Sequence, residues 1–226
     1  MPSEKTYQKG TDGREIALEA RASEEARLSS PSVARNRDVI ADVFCAHMPA
    51  TGAILEIASG TGEHAVTLAR RLPDVTFYPG DPDPASRASI MAWADHTGLV
   101  NIAPCHAINV ITDHPAPDHH AYFQGVTCIN MIHIAPFAAT KGLFAYAAAT
   151  LAPGGSLFLY GPFARNGQHT APSNADFDAS LKSRDADWGV RDLDREVIPV
   201  AEKRGFRLGS VIDMPANNLA VVFHSR

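Results

Sequence analysis

The sequence predicts an α/β protein with a seven-stranded, mostly parallel sheet, helices on both faces and an antiparallel last strand. Three observations in its 226 residues lead to this prediction. Short apolar segments alternate with helical ones through most of the chain, the pattern of a parallel sheet covered on both faces. A glycine-rich turn joins the first of these strands to its helix. The last two strands are separated by a turn too short for a parallel crossover, so they form an antiparallel hairpin.

The first half of the chain shows the alternation most clearly. Ser29 or Ser30 is placed to cap a first helix that has Pro31 in its first turn and runs through VARNRDVIADVF. Pro104 lies in the third of the following strands and has no N–H to donate, which favours an edge position or a bulge there. The predicted strands are 53–58, 75–80 and 101–108, and the predicted helices are 63–72 and 84–96.

The second half continues the pattern and then changes. We expect a strand at 126–134, a helix at 137–151 and a strand at 156–161. A helix near 193–205 then leads to the terminal hairpin, in which Pro199 predicts a kink or a late start of the helix. The hairpin strands are 206–213 and 219–225, joined by MPANN.

Two segments differ from this framework. Residues 1–28 lack apolar periodicity and are predicted to be a flexible arm, so that one domain spans 29–226. The segment 162–190 is long, polar and leaves the same edge of the sheet as the other strand ends. Structureless loops of this length are uncommon unless they cover or form a binding site, so we interpret the segment as a lid insertion.

Composition and charge argue against several classes of protein. No apolar run approaches the roughly 20 residues of a membrane helix, and the polar N-terminus has no signal-peptide core, so we expect a soluble, cytoplasmic protein without a membrane partner. The net charge is −5 and basic residues are scattered among acids, whereas duplex-binding proteins show a basic stripe, so nucleic acid is not expected. Three cysteines, far apart and odd in number, favour buried free thiols.

The stretch LEIASGTGEH (55–64) is the strongest functional signal. Residues 60–65 match G-x-G-x-x-G/A, in which glycines let the backbone turn tightly and approach a ligand. The match lies between a predicted strand and a predicted helix. An acid is expected about 20 residues later, and Asp81 and Asp83 both qualify. We therefore expect a nucleotide-type cofactor at this turn.

NAD(P) and S-adenosylmethionine compete for the turn. Glu56 lies four residues before Gly60, and its carboxylate would oppose a pyrophosphate, since two like charges about 4 Å apart cost roughly 4 kcal/mol at an effective dielectric near 20. S-adenosylmethionine carries an ammonium and a sulfonium and no phosphate, so the same carboxylate attracts it. The terminal hairpin also favours it, because a plain dinucleotide domain does not need one. An NAD(P)-dependent oxidoreductase and a non-catalytic S-adenosylmethionine-binding regulator remain the alternatives.

The residues around this turn resemble a known family. LEIASGTGEH, GDPDP (80–84) and CINMIHIAPF (128–137) are similar to class I S-adenosylmethionine-dependent methyltransferases, which have a Rossmann-like fold with an antiparallel seventh strand. A closer resemblance, to the methyltransferase-like twenty-six family, extends from about residue 30 to the C-terminus. It includes ARNRD (34–38), GPFARNGQHTAPSNADFDASL (161–181), WGVRDL (188–193) and DMPANNL (213–219). That family has Ser-Pro-Trp where this chain has Ala135-Pro136-Phe137, a departure that concerns substrate contacts more than the cofactor.

The resemblance implies methyl transfer from S-adenosylmethionine, and the polar side chains of the lid insertion favour a small, polar acceptor. Glu56, Ala58 and the glycines Gly60 and Gly62 would hold the methionine end. Asp81 would bind the ribose hydroxyls, with Asp83 as the second candidate, although both could instead shape a Pro-rich turn. The other residues expected at the cofactor are Asn109 at the adenine edge, with local backbone bonding as its alternative, Val110 beside it, and Asn130 near the transferring methyl.

Methyl transfer makes mainly geometric demands, because it is an in-line displacement from a sulfonium. A general base is needed only when the acceptor is protonated and weakly acidic. Catalytic candidates are His133 and Tyr160, near strand ends, and His169 in the lid insertion; the alternatives are backbone bonding for His133 and a core role for Tyr160. Candidate substrate contacts are Arg35 and Asn36 on the first helix, and Asn166 and Asn174 in the lid insertion. The alternatives are an exposed helix face for the first pair and a solvated insertion for the second.

One group of metal-compatible side chains lies in the Pro-rich connection before the strand at 126–134. It consists of Asp113-His114 and Asp118-His119-His120. The group has no recognised ligand spacing. We interpret it as a solvated loop and expect no metal.

Overall fold

A six-stranded sheet is the central feature of the computed structural model, which describes residues 21–116, 119 and 122–226. In chain order the elements are β1 (Ala22–Glu24), β2 (Arg27–Ser29), α1 (Pro31–His47), β3 (Gly52–Ile57), α2 (Glu63–Arg71), β4 (Val75–Gly80), α3 (Pro84–Thr97), β5 (Phe123–Ile129), α4 (Phe137–Thr150), β6 (Leu151–Gly161), β7 (Ala164–Arg165), β8 (Gln168–His169), α5 (Pro172–Arg184), α6 (Ile198–Lys203), β9 (Phe206–Met214) and β10 (Asn218–Ser225).

The strands of the central sheet lie in the order β4-β3-β5-β6-β10-β9. The first four pair in parallel, whereas β10 pairs antiparallel with both β6 and β9. The reversal occurs because only the short turn Pro215–Asn217 separates β9 from β10, which is too short for a parallel crossover. The predicted α/β, mostly parallel sheet with an antiparallel last strand is confirmed.

The prediction of seven strands was wrong, because the segment 101–108 is not a strand. It runs beside β4 but pairs with it only at isolated parallel bridges, Phe77 with Ile102 and Gly80 with His106. Pro104 lies between the two bridges and has no N–H to continue a hydrogen-bond ladder. The segment therefore lies along the edge of β4 without extending the sheet.

Helices pack on both faces of the sheet. Alternate side chains of a strand point to opposite faces, and in β3 Leu55 and Ile57 belong to the apolar layer with α4 and α6. Ile54 belongs to the opposite layer, with α1 and α2. There Phe44 of α1 meets Phe158 of β6 edge-on, with ring centroids 5.1 Å apart. The two layers fix the carboxyl ends of the parallel strands relative to the helices that follow them.

Two of the helices deserve comparison with their sequence signals. α1 begins at Pro31 after the N-cap residue Ser30, as predicted, although the Ser30 side chain makes no capping hydrogen bond. The predicted helix near 193–205 begins as a π-helical turn, Leu193–Val197, and continues as α6 from Ile198, so the helix type changes just before Pro199. Among the described residues, no helix has both the length and the apolar composition needed to cross a membrane.

The two segments outside the predicted framework have defined structure where they are described. Residues 1–20 of the predicted flexible arm lie outside the described residues. The hairpin β1–β2 packs on α3, where the amide of Leu28 donates to Ser89 Oγ at 2.8 Å and Trp93 Nε1 donates to Leu28 O at 2.8 Å. The lid insertion 162–190 contains the hairpin β7–β8 and the helix α5. Its function as a lid stays a prediction.

Candidate functional site

A cavity of about 340 Å³ lies where β3, β4 and β5 end. In open α/β sheets the carboxyl ends of the strands are the usual place for ligands. Its lining includes the residues Arg21, Ser30, Ser32, Val33, His64, Asp83 and Met131. The residues predicted for the cofactor that line the cavity are Glu56, Ala58, Gly60, Asp81, Asn109, Val110 and Asn130. The structure thus brings together every predicted cofactor residue except Gly62.

The two glycines of the turn have left-handed backbones, with φ of 60° at Gly60 and 91° at Gly62, but they accommodate different neighbours. A Cβ on Gly62 would lie 2.7 Å from the Cα of Ile90, so this glycine allows α3 to pack against the start of α2. Among the described residues, the nearest atom to a Cβ on Gly60 is Arg21 Nη2 at 3.6 Å, and both residues line the cavity. Gly60 leaves room for a ligand, whereas Gly62 leaves room for a helix.

Asp81 joins the glycine turn to the end of β4. Its Oδ2 accepts a hydrogen bond from the amide of Gly60 at 2.9 Å, and its Oδ1 accepts one from the amide of Asp83 at 2.9 Å. Burial raises the pKa of the Asp81 carboxyl, and the two amides and the charge of Arg21 oppose that rise. A carboxylate offers about four lone-pair sites, so this one retains acceptors for hydroxyl groups.

Asp83 has a different local task. Its Oδ2 accepts a hydrogen bond from the amide of Ser86 at 2.7 Å, which makes it the N-cap of α3. Both Asp81 and Asp83 line the cavity. The cap engages Asp83 with its own helix, whereas Asp81 contacts the glycine turn.

Glu56 is the most buried acid of the cavity. Its side chain is 2% exposed, and its Oε2 has no hydrogen-bond partner among the described residues. Burial raises the pKa of its carboxyl from 4.5 to about 8. A buried acceptor without a partner costs about 1–3 kcal/mol. The arrangement is suited to a ligand that brings a positively charged hydrogen-bond donor to the carboxylate.

Asn109, Val110 and Asn130 complete the predicted cofactor group. The Oδ1 of Asn109 accepts a hydrogen bond from the amide of Ile111 at 3.1 Å, which is the local backbone bonding considered as its alternative, yet the residue still lines the cavity. Val110 is buried beside it. Asn130 follows β5 with φ of 64°, and its amide donates to Tyr160 O at 2.8 Å. The left-handed turn at Asn130 ends β5 at the cavity.

His133 does not line the cavity. Its Nδ1 accepts a hydrogen bond from the amide of Arg191 at 3.3 Å, and its ring meets Phe163 edge-on with centroids 4.9 Å apart. Burial lowers its pKa from 6.5 to about 3. A Cβ on Gly161 would lie 2.5 Å from Nε2, so the backbone of β6 packs closely against the ring. These contacts fit the structural alternative for His133 better than the role of a general base.

Tyr160 and Asn36 belong to a polar network beside the cavity rather than to its lining. Burial raises the pKa of the Tyr160 phenol, and the neighbouring side chains of Asn36 and Asn218 oppose that rise. Asn36 Oδ1 lies 3.1 Å from Nε2 of His64, which does line the cavity. Arg35 lies on the exposed side of α1. α1 therefore lines the cavity directly through Ser32 and Val33, whereas Asn36 reaches it only through His64 of α2.

The predicted residues of the lid insertion also lie outside the cavity lining. Nε2 of His169 is 3.7 Å from Oδ2 of Asp178. Asn174 is buried and donates through Nδ2 to Asn217 O at 2.9 Å. The amide of Asn166, in the β7–β8 turn, donates to an Asp194 carboxylate oxygen at 3.0 Å. The contacts with Asn217 and Asp194 hold the insertion to the domain, whereas the contact between His169 and Asp178 lies within the insertion.

Most of the other lining residues were not among the sequence candidates, and Arg21, Ser30 and His64 are the polar ones with informative contacts. Arg21 donates through Nη1 to Ser86 Oγ at 3.2 Å, and the amide of Ser30 donates to Glu63 Oε2 at 2.8 Å. His64 follows Gly62 by two residues, so the glycine motif itself contained a signal for it. Arg21 and Ser30 reach the cavity through contacts with distant residues, which no local pattern indicates.

Metal-compatible and thiol groups add no further site within the described part of the chain. Among those residues, no group of three or more His, Cys, Asp or Glu side chains is arranged to hold a metal ion. Asp118 and His120 of the Pro-rich connection lie outside the described residues. Cys45, Cys105 and Cys128 are free thiols, as predicted, with Cys128 buried and the other two partly buried.

Solved structures of methyltransferases share this fold at low sequence identity. An O-methyltransferase family 2 protein from Planctomyces limnophilus, solved with apigenin, matches with a TM-score of 0.70 and 19% identity over 86% of this chain and 60% of that one. An O-methyltransferase family protein from Burkholderia thailandensis matches with a TM-score of 0.70 and 15% identity over 86% of this chain and 57% of that one. Human N-acetylserotonin methyltransferase, solved with S-adenosylmethionine, matches with a TM-score of 0.67 and 13% identity over 86% of this chain and 52% of that one.

The chain therefore spans 52% to 60% of the length of these structures. At such identities the likeness is one of fold, and the fold is a mixed α/β, Rossmann-like methyltransferase fold. A protein-family model described as protein of unknown function (DUF938) matches residues 27–225. The matched range includes the central sheet, the glycine turn and every lining residue of the cavity except Arg21. The chain belongs to the DUF938 family.

Proposed function

We propose that the protein is an S-adenosylmethionine-dependent methyltransferase that acts on a small, polar acceptor. The observation that supports this most is the buried carboxylate of Glu56, which lines the cavity beneath the glycine turn and has no partner for Oε2 among the described residues. A close relation to the methyltransferase-like twenty-six family is part of the same proposal.

The charge of the cavity favours a cationic donor over a dinucleotide. Glu56, Asp81 and Asp83 all line it, with Arg21 as a cationic side chain beside them. A pyrophosphate at the turn would face these acids, and a pair of like charges about 4 Å apart costs roughly 4 kcal/mol at an effective dielectric near 20. The ammonium of S-adenosylmethionine would instead offer hydrogen bonds to Glu56 and favour its ionised form.

The same proposal assigns lining residues to each part of the donor. Glu56 and the Gly60 turn would hold the methionine end, and the acceptor sites of Asp81 would receive the ribose hydroxyls. Asn109 and Val110 would bound the adenine, and Asn130 would lie near the sulfonium. When bound, the donor supplies an electrophilic methyl group. The residues of the chain hold the donor and acceptor in line, which is the main requirement of the reaction.

Calorimetric titration with S-adenosylmethionine, S-adenosylhomocysteine and NADH tests the proposal. We expect both sulfur compounds to bind and NADH not to bind. Glu56→Gln should lower the affinity for S-adenosylmethionine by about tenfold or more, the loss of one charge-assisted hydrogen bond. Glu202→Gln, on the exposed surface, is the matched control. NADH binding without a response to S-adenosylmethionine would overturn the proposal in favour of an oxidoreductase.

A non-catalytic binding protein is the remaining alternative. Incubation with methyl-tritiated donor and fractionated cell extract separates it from an enzyme. We expect label to move to a small molecule in at least one fraction. Tight binding of S-adenosylhomocysteine with no labelled product in any fraction would favour the regulator.

A further inference from the structure

One part of the cavity lining contains none of the residues assigned to the donor. It is formed by Ser30, Ser32 and Val33 around the start of α1, by His64 on α2, and by Met131 and Ile134 after β5. None of these side chains is a carboxylate, an ammonium or a guanidinium. One side of the wall therefore offers hydrogen bonds and the other offers apolar surface, which suits a neutral molecule.

Contacts between α1 and the start of α2 build the polar side of this wall. Asn36 Oδ1 lies 3.1 Å from Nε2 of His64. The amide of Ser30 donates to Glu63 Oε2 at 2.8 Å, and the hydroxyls of Ser30 and Ser32 are 2.7 Å apart. Because these bonds join the two helices, His64 has a fixed position against the first turn of α1.

The same network determines which ring nitrogen of His64 carries the proton. The side chains of Asn36 and Asn218 both interact with the Tyr160 hydroxyl, and they oppose the rise that burial causes in the pKa of the phenol. Asn36 faces Nε2 of His64 with its Oδ1, and an amide oxygen can only accept, so Nε2–H of His64 is the donor. An imidazole protonated at Nε2 presents Nδ1 as an acceptor.

The remaining nitrogen of His64 is free to meet a ligand. Within the described part of the chain, Nδ1 makes no hydrogen bond, and the residue lines the cavity. Burial and the nearby charge of Arg37 lower the His64 pKa from 6.5 to about 4, so the ring is neutral at physiological pH. Nη1 of Arg37 lies 3.9 Å from Oε1 of Glu63, a second charged group where α1 meets the start of α2.

We propose that His64 is a catalytic residue and that the acceptor is a neutral molecule with an O–H or N–H at the methylated atom. His64 Nδ1 accepts a hydrogen bond from that O–H or N–H. The bond orients the acceptor so that a lone pair of its oxygen or nitrogen points at the methyl group of the donor. The inference rests on the proposed methyl transfer and names the acceptor class of the same site. Asn36 and Tyr160 are positioning residues that act through His64.

The step balances without a further reactant. The acceptor oxygen or nitrogen forms a bond to the methyl carbon while the bond from that carbon to sulfur breaks, and the electron pair stays on the sulfur. The acceptor proton moves to His64 Nδ1, and the resulting imidazolium releases it to solvent before the next turnover. Proton transfer of this kind contributes about 100-fold to 10,000-fold in rate.

Four probe acceptors test the acceptor class with methyl-tritiated donor. They are phenol and pyrazole, which are neutral with O–H or N–H, benzoate, which is anionic, and benzylamine, which is cationic at neutral pH. We expect labelled product from phenol or pyrazole only. Product from benzoate or benzylamine alone overturns the inference. The absence of product from both neutral probes also overturns the inference, provided that calorimetry shows that the protein binds the donor. Failure of donor binding itself would instead count against the proposed function.

Variants separate catalysis from folding and from donor binding. His64→Ala and His64→Gln should lower turnover of the neutral probe by about 100-fold or more while the donor dissociation constant changes less than about threefold. His47→Ala, on the exposed end of α1, is the control and should leave both unchanged. Equal losses of turnover and donor affinity in both His64 variants overturn the catalytic role.

The tautomer provides a readout that needs no activity. In the native protein, two-bond proton–nitrogen NMR should show His64 protonated at Nε2 alone at pH 7. Asn36→Leu and Tyr160→Phe should populate the other tautomer and lower turnover by about tenfold with donor affinity retained. A native His64 protonated at Nδ1 overturns the proposal.

Discussion

The amide of Gly60 donates a hydrogen bond to the carboxylate of Asp81 at 2.9 Å, so the turn after β3 and the end of β4 are held together. The same carboxylate accepts the amide of Asp83 at 2.9 Å. One acidic side chain thereby organises two loops that both line the cavity. Its loss should affect the fold and the ligand site together.

Asp81→Asn replaces one acceptor oxygen by an amino group, which must face a backbone N–H. We expect the free energy of unfolding to fall by about 1–3 kcal/mol, because a buried donor loses its partner. We also expect the affinity for S-adenosylmethionine to fall by about tenfold or more. Asp83→Asn is the matched control, since Asn is also a good N-cap and should preserve α3. A larger loss of donor affinity in Asp83→Asn would assign the ribose contact to Asp83 instead.

The two glycines of the turn should respond differently to alanine. Gly62→Ala places a Cβ 2.7 Å from the Cα of Ile90, so we expect a loss of stability of about 2 kcal/mol or more from displacement of α3. Gly60→Ala adds a methyl group beside the cavity at φ of 60°. Its stability should fall by about 1 kcal/mol, whereas its donor affinity should fall much further. Urea unfolding and calorimetry on both variants measure the contrast. Unchanged affinity in Gly60→Ala would remove the ligand from the turn.

Glu56 should make the ligand-free protein less stable as the pH rises. Its carboxyl has a folded pKa of about 8 against an ordinary value of 4.5. Its contribution to stability is therefore fully present below about pH 4.5 and is lost as the pH rises through 8, at roughly 1 kcal/mol per pH unit. Urea unfolding between pH 6 and 8.5 should show this slope in the native protein and a flatter one in Glu56→Gln. Parallel slopes in the two proteins would contradict the buried, unpartnered state of Glu56.

His133 should make the protein less stable as the pH falls. Its pKa is lowered from 6.5 to about 3, so its contribution to stability is present above about pH 6.5 and is lost as the pH falls toward 3. His133→Gln should reduce the difference in unfolding free energy between pH 7 and pH 5 by roughly 2 kcal/mol. Its donor affinity should match that of the exposed control His96→Gln, because His133 lies outside the cavity lining. A selective loss of donor affinity or turnover would return His133 to the candidate list.

The local part of the site could be predicted from the sequence, because it depends on short-range rules. A strand, a glycine turn and a helix lie in immediate succession around Gly60, and Asp81 follows at the end of the next strand. The terminal hairpin was equally visible, since loop length alone decides it. In the segment 101–108, Pro104 indicated a break in the hydrogen-bond ladder, whereas the apolar pattern alone predicted a strand.

The rest of the site depends on contacts between distant residues. Asn36 and Tyr160 were candidates because of their positions along the chain, but the fold places them behind His64, at separations of 28 residues and more. His133 was chosen for its place at a strand end, where the 3-10 turn Met131–His133 directs it away from the cavity. The lid residues are occupied by contacts with Asp178, Asp194 and Asn217, which no periodicity indicates.

A crystal structure of the protein with S-adenosylmethionine tests the central claim most directly. The account predicts the donor in the cavity at the ends of β3, β4 and β5, with its ammonium within hydrogen-bond distance of Glu56 and its ribose hydroxyls on Asp81. The methyl group should face His64. A donor bound with its methionine away from Glu56 and the glycine turn would contradict the account.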